Sequence, residues 1–380
     1  MRIGIDARAL SVQAAGVPRA VSSLVREIEK LDHEDAFYLY SHRDFDLPFQ
    51  NPRWHKRIGS RTSGLPSILW FWTEARGAIL KDNLDVFWSA LYIPSLSVPS
   101  NVAKILTVHD LESRLYPQTM SLKTYWGHRL LVWPSVRQAD RIVSDSASTA
   151  RDLQSILKVS EAKIDVIHLG VDSAYKPQDR EKAAQYIASK YGVSKHYALA
   201  VGTVQPRKNL VTLIEAMKIV RDRAEGSFQL IVAGARGWKN TKLDETIRHL
   251  GLTGEDIRFL GFVPEEDLPM LYSGSCSFVF PSLYEGFGLP LVEAMACGAP
   301  VVASNSSSIP EVVGDAALLV PPTQPEAFAE AILRVRSDSD LRNEMIEKGL
   351  RRAASFRWDI AARKLLECMR RTVAEKRSGK

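Results

Sequence analysis

"SFVFPSLYEGFGLPLVEAMACGAPVVASN", residues 277–305, reads as strand, turn, helix and strand in one short run. SFVFPS and PVVASN are apolar runs rich in aromatic and β-branched residues, as expected for strands covered on both faces of a parallel sheet. Between them LYEGFG is a turn, and LPLVEAMACG is a helix that ends near Gly298. Pro290 is comfortable in the first turn of that helix, where its missing N–H costs nothing. The run is therefore a βαβ unit, and the fold depends on how often that unit recurs.

It recurs along the whole chain. RIGIDA, FYLYS, DVFWSA, KILTVHD, RIVSDS and IDVIHLG are strand candidates in the first half. YALAVGT, QLIVAGA, IRFLGFV, SFVFPS, PVVASN and ALLVPP follow in the second, with helix-length amphipathic segments between them. The polar run DSAYKPQDREKAA, around residues 172–184 and containing Pro177, separates the two sets. The expected class is α/β, with two Rossmann-like doubly wound domains, the first over residues 1–175 and the second from residue 176. A chain of 380 residues accommodates that number of domains. Two such sheets leave a cleft, and ligands of open α/β sheets bind beyond the carboxyl ends of the strands. Chemistry is therefore sought just after each strand.

After SFVFPS, Glu285 sits at the lip of the turn and Glu293 lies in the early turns of the helix, with Gly288 allowing close approach. The amides of Phe287, Gly288 and Leu289 precede the intrahelical hydrogen bonds and are placed to face an anion or hydroxyls. After YALAVG, Gly202 permits a tight turn, Pro206 stops the strand, and Arg207 and Lys208 precede a helix capped by Asn209. Two cations beside a helix N-terminus suit a phosphate or diphosphate, against the simpler reading of a surface loop. Ionised carboxylates only accept, so two of them suit pairs of ligand hydroxyls. A nucleoside diphosphate sugar has this layout, with Glu285 on the sugar and Glu293 on the ribose. GFGLPL resembles a dinucleotide fingerprint, but Leu291 stands where glycine or alanine is required and Pro290 intrudes. In the first half, His109 ends KILTVHD, as an acid–base group, a donor to substrate or a core residue, and Gly16 lies in the AAGVPRA loop.

Composition limits the alternatives. Hydrophobic residues at 45% and charged residues at 25% describe a globular chain rather than a disordered one. No apolar run approaches the roughly 20 residues needed to span a bilayer. MRIGIDAR reads as a strand and not as a signal peptide, so a cytoplasmic location is expected. Cys276, Cys297 and Cys368 have neither zinc-site nor disulfide spacing, and RDFD, with Asp44 and Asp46, reads as a turn; no metal site is expected. The net charge of +6 is concentrated in the tail: Arg351, Arg352, Arg357, Arg363, Lys364, Arg370, Arg371, Lys376, Arg377 and Lys380 face only Asp359, Glu367 and Glu375. That pattern reads as a solvated helix face or, in a sharper reading, as attraction to an anionic inner membrane face. Nucleic acid is not expected, because no recognition motif accompanies the charge. The tryptophan-rich SILWFWTEARGAIL reads as a buried helix packing on a sheet, or as a lipid-contacting patch.

Together these residues resemble the retaining GT-B glycosyltransferases of family 4, also called group 1. The resemblance spans nearly the whole chain and is strongest over residues 196–322, where Glu285 and Glu293 form the family's E-x7-E signature. WFWTEARGAIL, DVFWSALYIP and VHDL are more loosely similar to the mannosyltransferase-like subgroup. The resemblance implies an acceptor site on the first domain, a nucleotide-sugar donor held mainly by the second, over residues 176–357, and a final helix over 358–380 crossing back to the first. It implies that Glu285 meets the donor sugar, Glu293 the ribose, Lys208 with Arg207 the diphosphate, and His109 the region of the reactive carbon. Gly16 would lie near the phosphates, and Gly261, Phe262 and Val263 near the base. Thr203 stands where many members place an arginine, which leaves Arg207 to supply that charge. Pro18 and Arg19 stand where the loop often has a further glycine.

The expected reaction is metal-independent transfer of a hexose, mannose first and glucose second, to a glycan or lipid-linked acceptor with α-configuration retained. No cofactor is expected beyond the donor itself. The alternatives are a nucleotide-sugar epimerase or phosphorylase on a related fold, a non-catalytic nucleotide-sugar binding subunit and, third, a nicotinamide oxidoreductase.

Overall fold

The structure, a computed structural model, describes residues 1–12, 16–31, 34–59, 67–91, 97–224 and 226–379. Ala14 and Ala15 of the AAGVPRA loop, residues 92–94 of DVFWSALYIP, and Lys380 lie outside the described residues. The chain divides into two compact units. The first comprises Met1–Ser113, Leu122–Leu169 and Trp358–Lys380; the second comprises Arg114–Ser121 and Gly170–Arg357.

The first unit is built on strands β1 (Arg2–Asp6), β2 (Ala36–Ser41), β3 (Trp54–Ile58), β4 (Val86–Ser89), β5 (Ala103–Val108), β6 (Arg141–Ser144) and β7 (Ile164–Val166). They form one sheet in the order β3-β2-β1-β4-β5-β6-β7, with every pairing parallel. β3 is absent from the sequence expectation. Its residues WHKRI carry no apolar run because it is an edge strand, wetted along one side. Alternation along the central strands divides the layers. Phe87, Leu106, Val108 and Ile142 pack with Trp70 and Phe71 on one face. Trp88, Thr107 and Val143 turn to the other, toward Val21 and Leu24 of helix Val17–Lys30 and Leu365 of helix Trp358–Arg377. SILWFWTEARGAIL is buried along one side, at Trp70, Phe71, Ala75 and Ile79, while Leu69, Trp72 and Leu80 are exposed.

The basic tail is docked by ion pairs. Arg370 reaches Asp35 at 3.2 Å, Lys376 reaches Asp140 at 2.7 Å, and Arg371 and Arg377 pair with Asp165 and Asp85. Each exposed pair is worth about 0–1 kcal/mol. Together they set the register of the helix against the amino-terminal edge of the sheet. No helix among the described residues is long and apolar enough to cross a membrane.

The second unit holds β8 (Tyr197–Val201), β9 (Gln229–Ala233), β10 (Ile257–Gly261), β11 (Ser277–Phe280), β12 (Val301–Ser304) and β13 (Ala317–Val320). Their order is β10-β9-β8-β11-β12-β13, again wholly parallel. These are β8 to β13, as the apolar runs of the second half imply. Chain order reverses between β8 and β11, and a doubly wound sheet binds its ligands beyond such a reversal. Asp179 caps helix Arg180–Tyr191 by accepting from the Lys182 amide at 2.9 Å, so the later part of the polar run at 172–184 is helical.

Candidate functional site

Two loops leave the reversal. The first follows β8. Gly202 has φ +141°, and its amide donates to the Ala233 carbonyl at 2.9 Å. Val204 continues that pairing to Ala235. The loops run so close that a Cβ on Gly234, itself at φ +151°, would stand 2.1 Å from the Gly202 carbonyl oxygen. A single turn, Pro206–Lys208, then leads to helix Leu210–Arg223. Asn209 occupies the cap position but does not accept a helix amide, contrary to expectation, because its backbone is left-handed at φ +54°. Its carboxamide instead donates to the carbonyls of Pro281 at 3.0 Å and Pro322 at 2.6 Å, and accepts from Thr212 at 2.9 Å. Asn209 is a clamp between loops rather than a helix cap.

The second loop, from Pro281 to Gly288, follows β11. The hydroxyls of Ser304 and Ser306 donate to the Ser282 carbonyl at 2.5 and 3.0 Å. Ser307 accepts from the Glu285 amide at 2.8 Å, and the Ser308 hydroxyl lies within donating distance of the carbonyls of Glu285 and Phe287. The Leu283 amide donates to the Arg207 carbonyl at 2.9 Å, joining the two loops. Gly288, at φ +102°, opens helix Leu289–Ala296, with Pro290 in its first turn. A Cβ there would meet Leu291 of the same helix and the Phe280 ring, so the glycine serves the turn itself.

These loops bring Glu285, Arg207 and Lys208 together. Arg207 donates to one carboxylate oxygen of Glu285 at 2.8 Å and to the Tyr284 carbonyl at 2.6 Å; Lys208 donates to the other oxygen at 2.7 Å. The Lys208 ammonium also lies 4.9 Å from the centre of the Phe280 ring. Glu285 and Arg207 are 6% and 9% exposed. Burial alone would raise the Glu285 pKa, but the attraction of Arg207 and Lys208 and the hydrogen bond of Lys208 override it and lower it to about 2. The cluster is thus ionised at neutral pH and carries one positive charge more than it cancels.

Glu293 has a different partner. It is buried in helix Leu289–Ala296 and accepts from the Tyr272 hydroxyl at 2.9 Å. The Phe287 ring is also buried, edge-on to Phe356 at 5.5 Å. Gly261 ends β10 at φ +70° and accepts from the Gly234 amide at 2.7 Å, Phe262 is 81% exposed, and Val263 is buried. The serines 304, 306, 307 and 308, Asn209 as a clamp and Gly234 were not anticipated. Only the SNSSS run after a strand offered a signal, and it names no partner.

In the first unit, His109 follows β5 and is held at both ring nitrogens. Nδ1 lies 2.6 Å from the Asp145 carboxylate and Nε2 lies 2.9 Å from the Ala90 carbonyl. Both partners are acceptors, an arrangement that favours the doubly protonated ring. Desolvation works against that charge, but Asp145, the hydrogen bond to Ala90 and Asp110 raise the pKa above its ordinary 6.5. A raised histidine stabilises the fold fully below the unfolded pKa, and that stabilisation is lost as pH rises through the folded value. Asp145→Asn is therefore expected to lower stability by about 1.5–3 kcal/mol at pH 6 and by less at pH 9, as read from urea unfolding midpoints. An equal loss at both pH values would mean that the ring is neutral. His109 also lines a cavity of about 530 Å³ with Val17, Asp110, Lys123, His128 and Leu131. Gly16, at φ +81°, opens helix Val17–Lys30.

Two wholly parallel α/β sheets, the second reversing its strand order beside a buried carboxylate and two cations, make this a protein of GT-B glycosyltransferase fold. The chain belongs to the group 1, or family 4, glycosyltransferases. Residues 184–352 match the family described as "Glycosyl transferases group 1" and residues 14–175 match "Glycosyltransferase Family 4". It is 33% identical over 282 residues to O-antigen chain mannosyltransferase B of Escherichia coli, covering 74% of this chain and 73% of that one. An O-antigen chain mannosyltransferase of Salmonella typhimurium strain LT2 is 28% identical over 285 residues, 74% of each chain. The sucrose-phosphate synthase of Thermosynechococcus elongatus shares the fold with a TM-score of 0.77 at 20% identity, over 98% of this chain and 99% of that one.

Proposed function

We propose that the protein transfers a hexose, mannose in the first place and glucose in the second, from a nucleoside diphosphate sugar to a hydroxyl of a glycan or lipid-linked glycan in cell-surface polysaccharide synthesis. The anomeric configuration is retained. The observation that carries this reading is the Arg207–Glu285–Lys208 cluster at the strand-order reversal. The mannosyltransferase relatives favour mannose and a polysaccharide acceptor.

The second unit takes the donor. Arg207 and Lys208 face the diphosphate, where negative charge grows as the glycosidic bond breaks, and preorganised cations there lower the barrier. With this charge in place the reaction is metal-independent. Glu285 holds both cations until the diphosphate arrives. As the phosphate oxygens take over a share of Lys208, a carboxylate oxygen becomes available to a sugar hydroxyl. Gly202 and the amides of Phe287, Gly288 and Leu289 line the anion, Glu293 takes the ribose, and Gly261 to Val263 meet the base. The first unit, with residues 358–380, takes the acceptor in the cavity beside His109, with Gly16 toward the phosphates. His109 contributes positive charge there rather than acid–base chemistry, since both ring nitrogens are committed to Asp145 and Ala90. The enzyme works in the cytoplasm, at the inner membrane face.

A thermal-shift screen against nucleoside diphosphates and their sugars tests this. A ligand at one hundred times its Kd stabilises the folded form by about 2.7 kcal/mol. GDP and GDP-mannose are expected to raise the midpoint by several degrees and UDP by less, and slow hydrolysis of GDP-mannose should follow by mass spectrometry. A midpoint unmoved by every nucleotide diphosphate would end the proposal.

A further inference from the structure

Residues Arg114–Ser121 belong to the second unit, although the chain on both sides of them belongs to the first. Within this strap Pro117–Thr119 makes one tight turn, in which Thr119 donates to the Tyr116 carbonyl from its amide at 3.0 Å and from its hydroxyl at 2.7 Å. The next two carbonyls accept from outside the strap. The Lys239 ammonium donates to Gln118 at 2.6 Å, and the Trp238 indole N–H donates to Thr119 at 2.7 Å. The Tyr116 ring stacks on Tyr284, with centres 5.6 Å and planes 30° apart.

Those partners fall on two loops. Trp238 and Lys239 follow β9 and Tyr284 follows β11; β8, whose loop carries Arg207 and Lys208, stands between them in the sheet. The three loops are also tied to one another. The Gly237 amide donates to the Val204 carbonyl at 3.0 Å, and the Leu283 amide to the Arg207 carbonyl at 2.9 Å. Strap and loops therefore form a closed circuit, each joined to the next. Lys239 keeps a left-handed backbone, φ +57°, in the stretch that grips the strap, and such strain persists only where the surroundings impose it.

Tyr284 connects the circuit to the charged cluster. Its carbonyl accepts from Arg207 at 2.6 Å, and the residue after it is Glu285. It is 3% exposed, and the Tyr116 ring is part of what covers it. We propose that Tyr116 is a positioning residue for donor cleavage: by holding the Tyr284 ring it fixes the carbonyl that aims Arg207 and the carboxylate that meets the sugar. The proposal rests on the donor reading above and adds to it a residue from outside the E-x7-E region. Cleavage moves charge onto the diphosphate, and a misplacement of about 1 Å at that moment costs up to about a hundredfold in rate. Trp238 acts one step further away, by keeping the strap where Tyr116 reaches Tyr284.

The test is hydrolysis of GDP-mannose or UDP-glucose, whichever the wild-type protein cleaves faster, with calorimetric binding of the matching diphosphate. Tyr116→Leu is expected to lower kcat about tenfold and to leave the diphosphate Kd within about twofold, because the diphosphate brings no sugar for Glu285 to place. Tyr116→Phe keeps the ring and should restore kcat to within about twofold of wild type. Trp238→Phe loses the N–H and should lower kcat about threefold. Leu115→Ala, at a side chain 40% exposed in the neighbouring turn, is the control and should match wild type. Circular dichroism verifies folding, and Trp238→Phe carries the test alone if Tyr116→Leu does not fold. Wild-type protein that cleaves neither donor overturns the donor reading and this proposal with it. With wild type active, the proposal alone falls if Tyr116→Leu keeps full kcat or, where that variant does not fold, if Trp238→Phe does. It also falls if Tyr116→Phe loses as much as Tyr116→Leu, or if diphosphate binding is lost in step with kcat.

Discussion

Glu285→Ala lowers the stability of the fold by about 3–5 kcal/mol at pH 7, the loss expected when one member of a buried ion cluster is removed and its partners remain. Arg207 and Lys208 converge on the two oxygens of this carboxylate, 2.8 and 2.7 Å away, and without it they face each other in a buried turn. The depression of the Glu285 pKa from 4.5 to about 2 by the same two cations corresponds to about 3 kcal/mol. A depressed carboxylate stabilises the fold above its unfolded pKa, and that stabilisation is lost as pH falls through the folded value. The gap between wild type and variant should therefore be full at pH 7, smaller at pH 3 and nearly closed below pH 2. Urea midpoints across that range measure it, and a gap that does not change with pH would show that the ion cluster is not its source.

Gly234→Ala has a comparably large effect by a different route. The new Cβ would stand 2.1 Å from the Gly202 carbonyl oxygen and 3.2 Å from the Thr203 nitrogen, and both are backbone atoms held by the β8–β9 pairing. The φ of +151° adds strain of its own, about 1–3 kcal/mol for a residue with a side chain. A total loss of about 4 kcal/mol or more is expected. Gly254→Ala is the control: nothing lies within 4 Å of its Cβ, and stability should stay within about 0.5 kcal/mol. If the two variants unfold at the same urea concentration, the loops after β8 and β9 are not in contact as described.

Much of this was legible in the sequence because it is local. Strands buried on both faces leave unbroken apolar runs, which is why SFVFPS and YALAVGT announce themselves while the edge strand WHKRI does not. Arg207, Lys208 and Glu285 stood out because each follows a strand, and the fold concentrates chemistry at strand ends. The partners that hold them were not legible. Asn209 looked like a helix cap from its neighbours alone, yet its carboxamide is committed to Pro281 and Pro322, far along the chain. Ser307 and Ser308 support the Glu285 loop from the end of a different strand. Gly234 is required by a carbonyl on another strand, and a glycine after a strand does not reveal whether it is required. The two glutamates of the signature look equivalent by spacing, but one pairs with cations and the other with a tyrosine hydroxyl.

Helix Trp358–Arg377 belongs to the seven-stranded unit although the six-stranded unit lies before it in the chain. That connectivity orders events on the ribosome. The six-stranded sheet is nearly continuous in sequence, from residue 170 to 357, and has all its strands once that stretch has emerged. The seven-stranded sheet, though translated earlier, waits with the apolar side of helix Val17–Lys30 uncovered until Ala361 and Leu365 arrive. Translation order and completion order are thus inverted between the two halves, and the exposed nascent segment is a natural client for a chaperone.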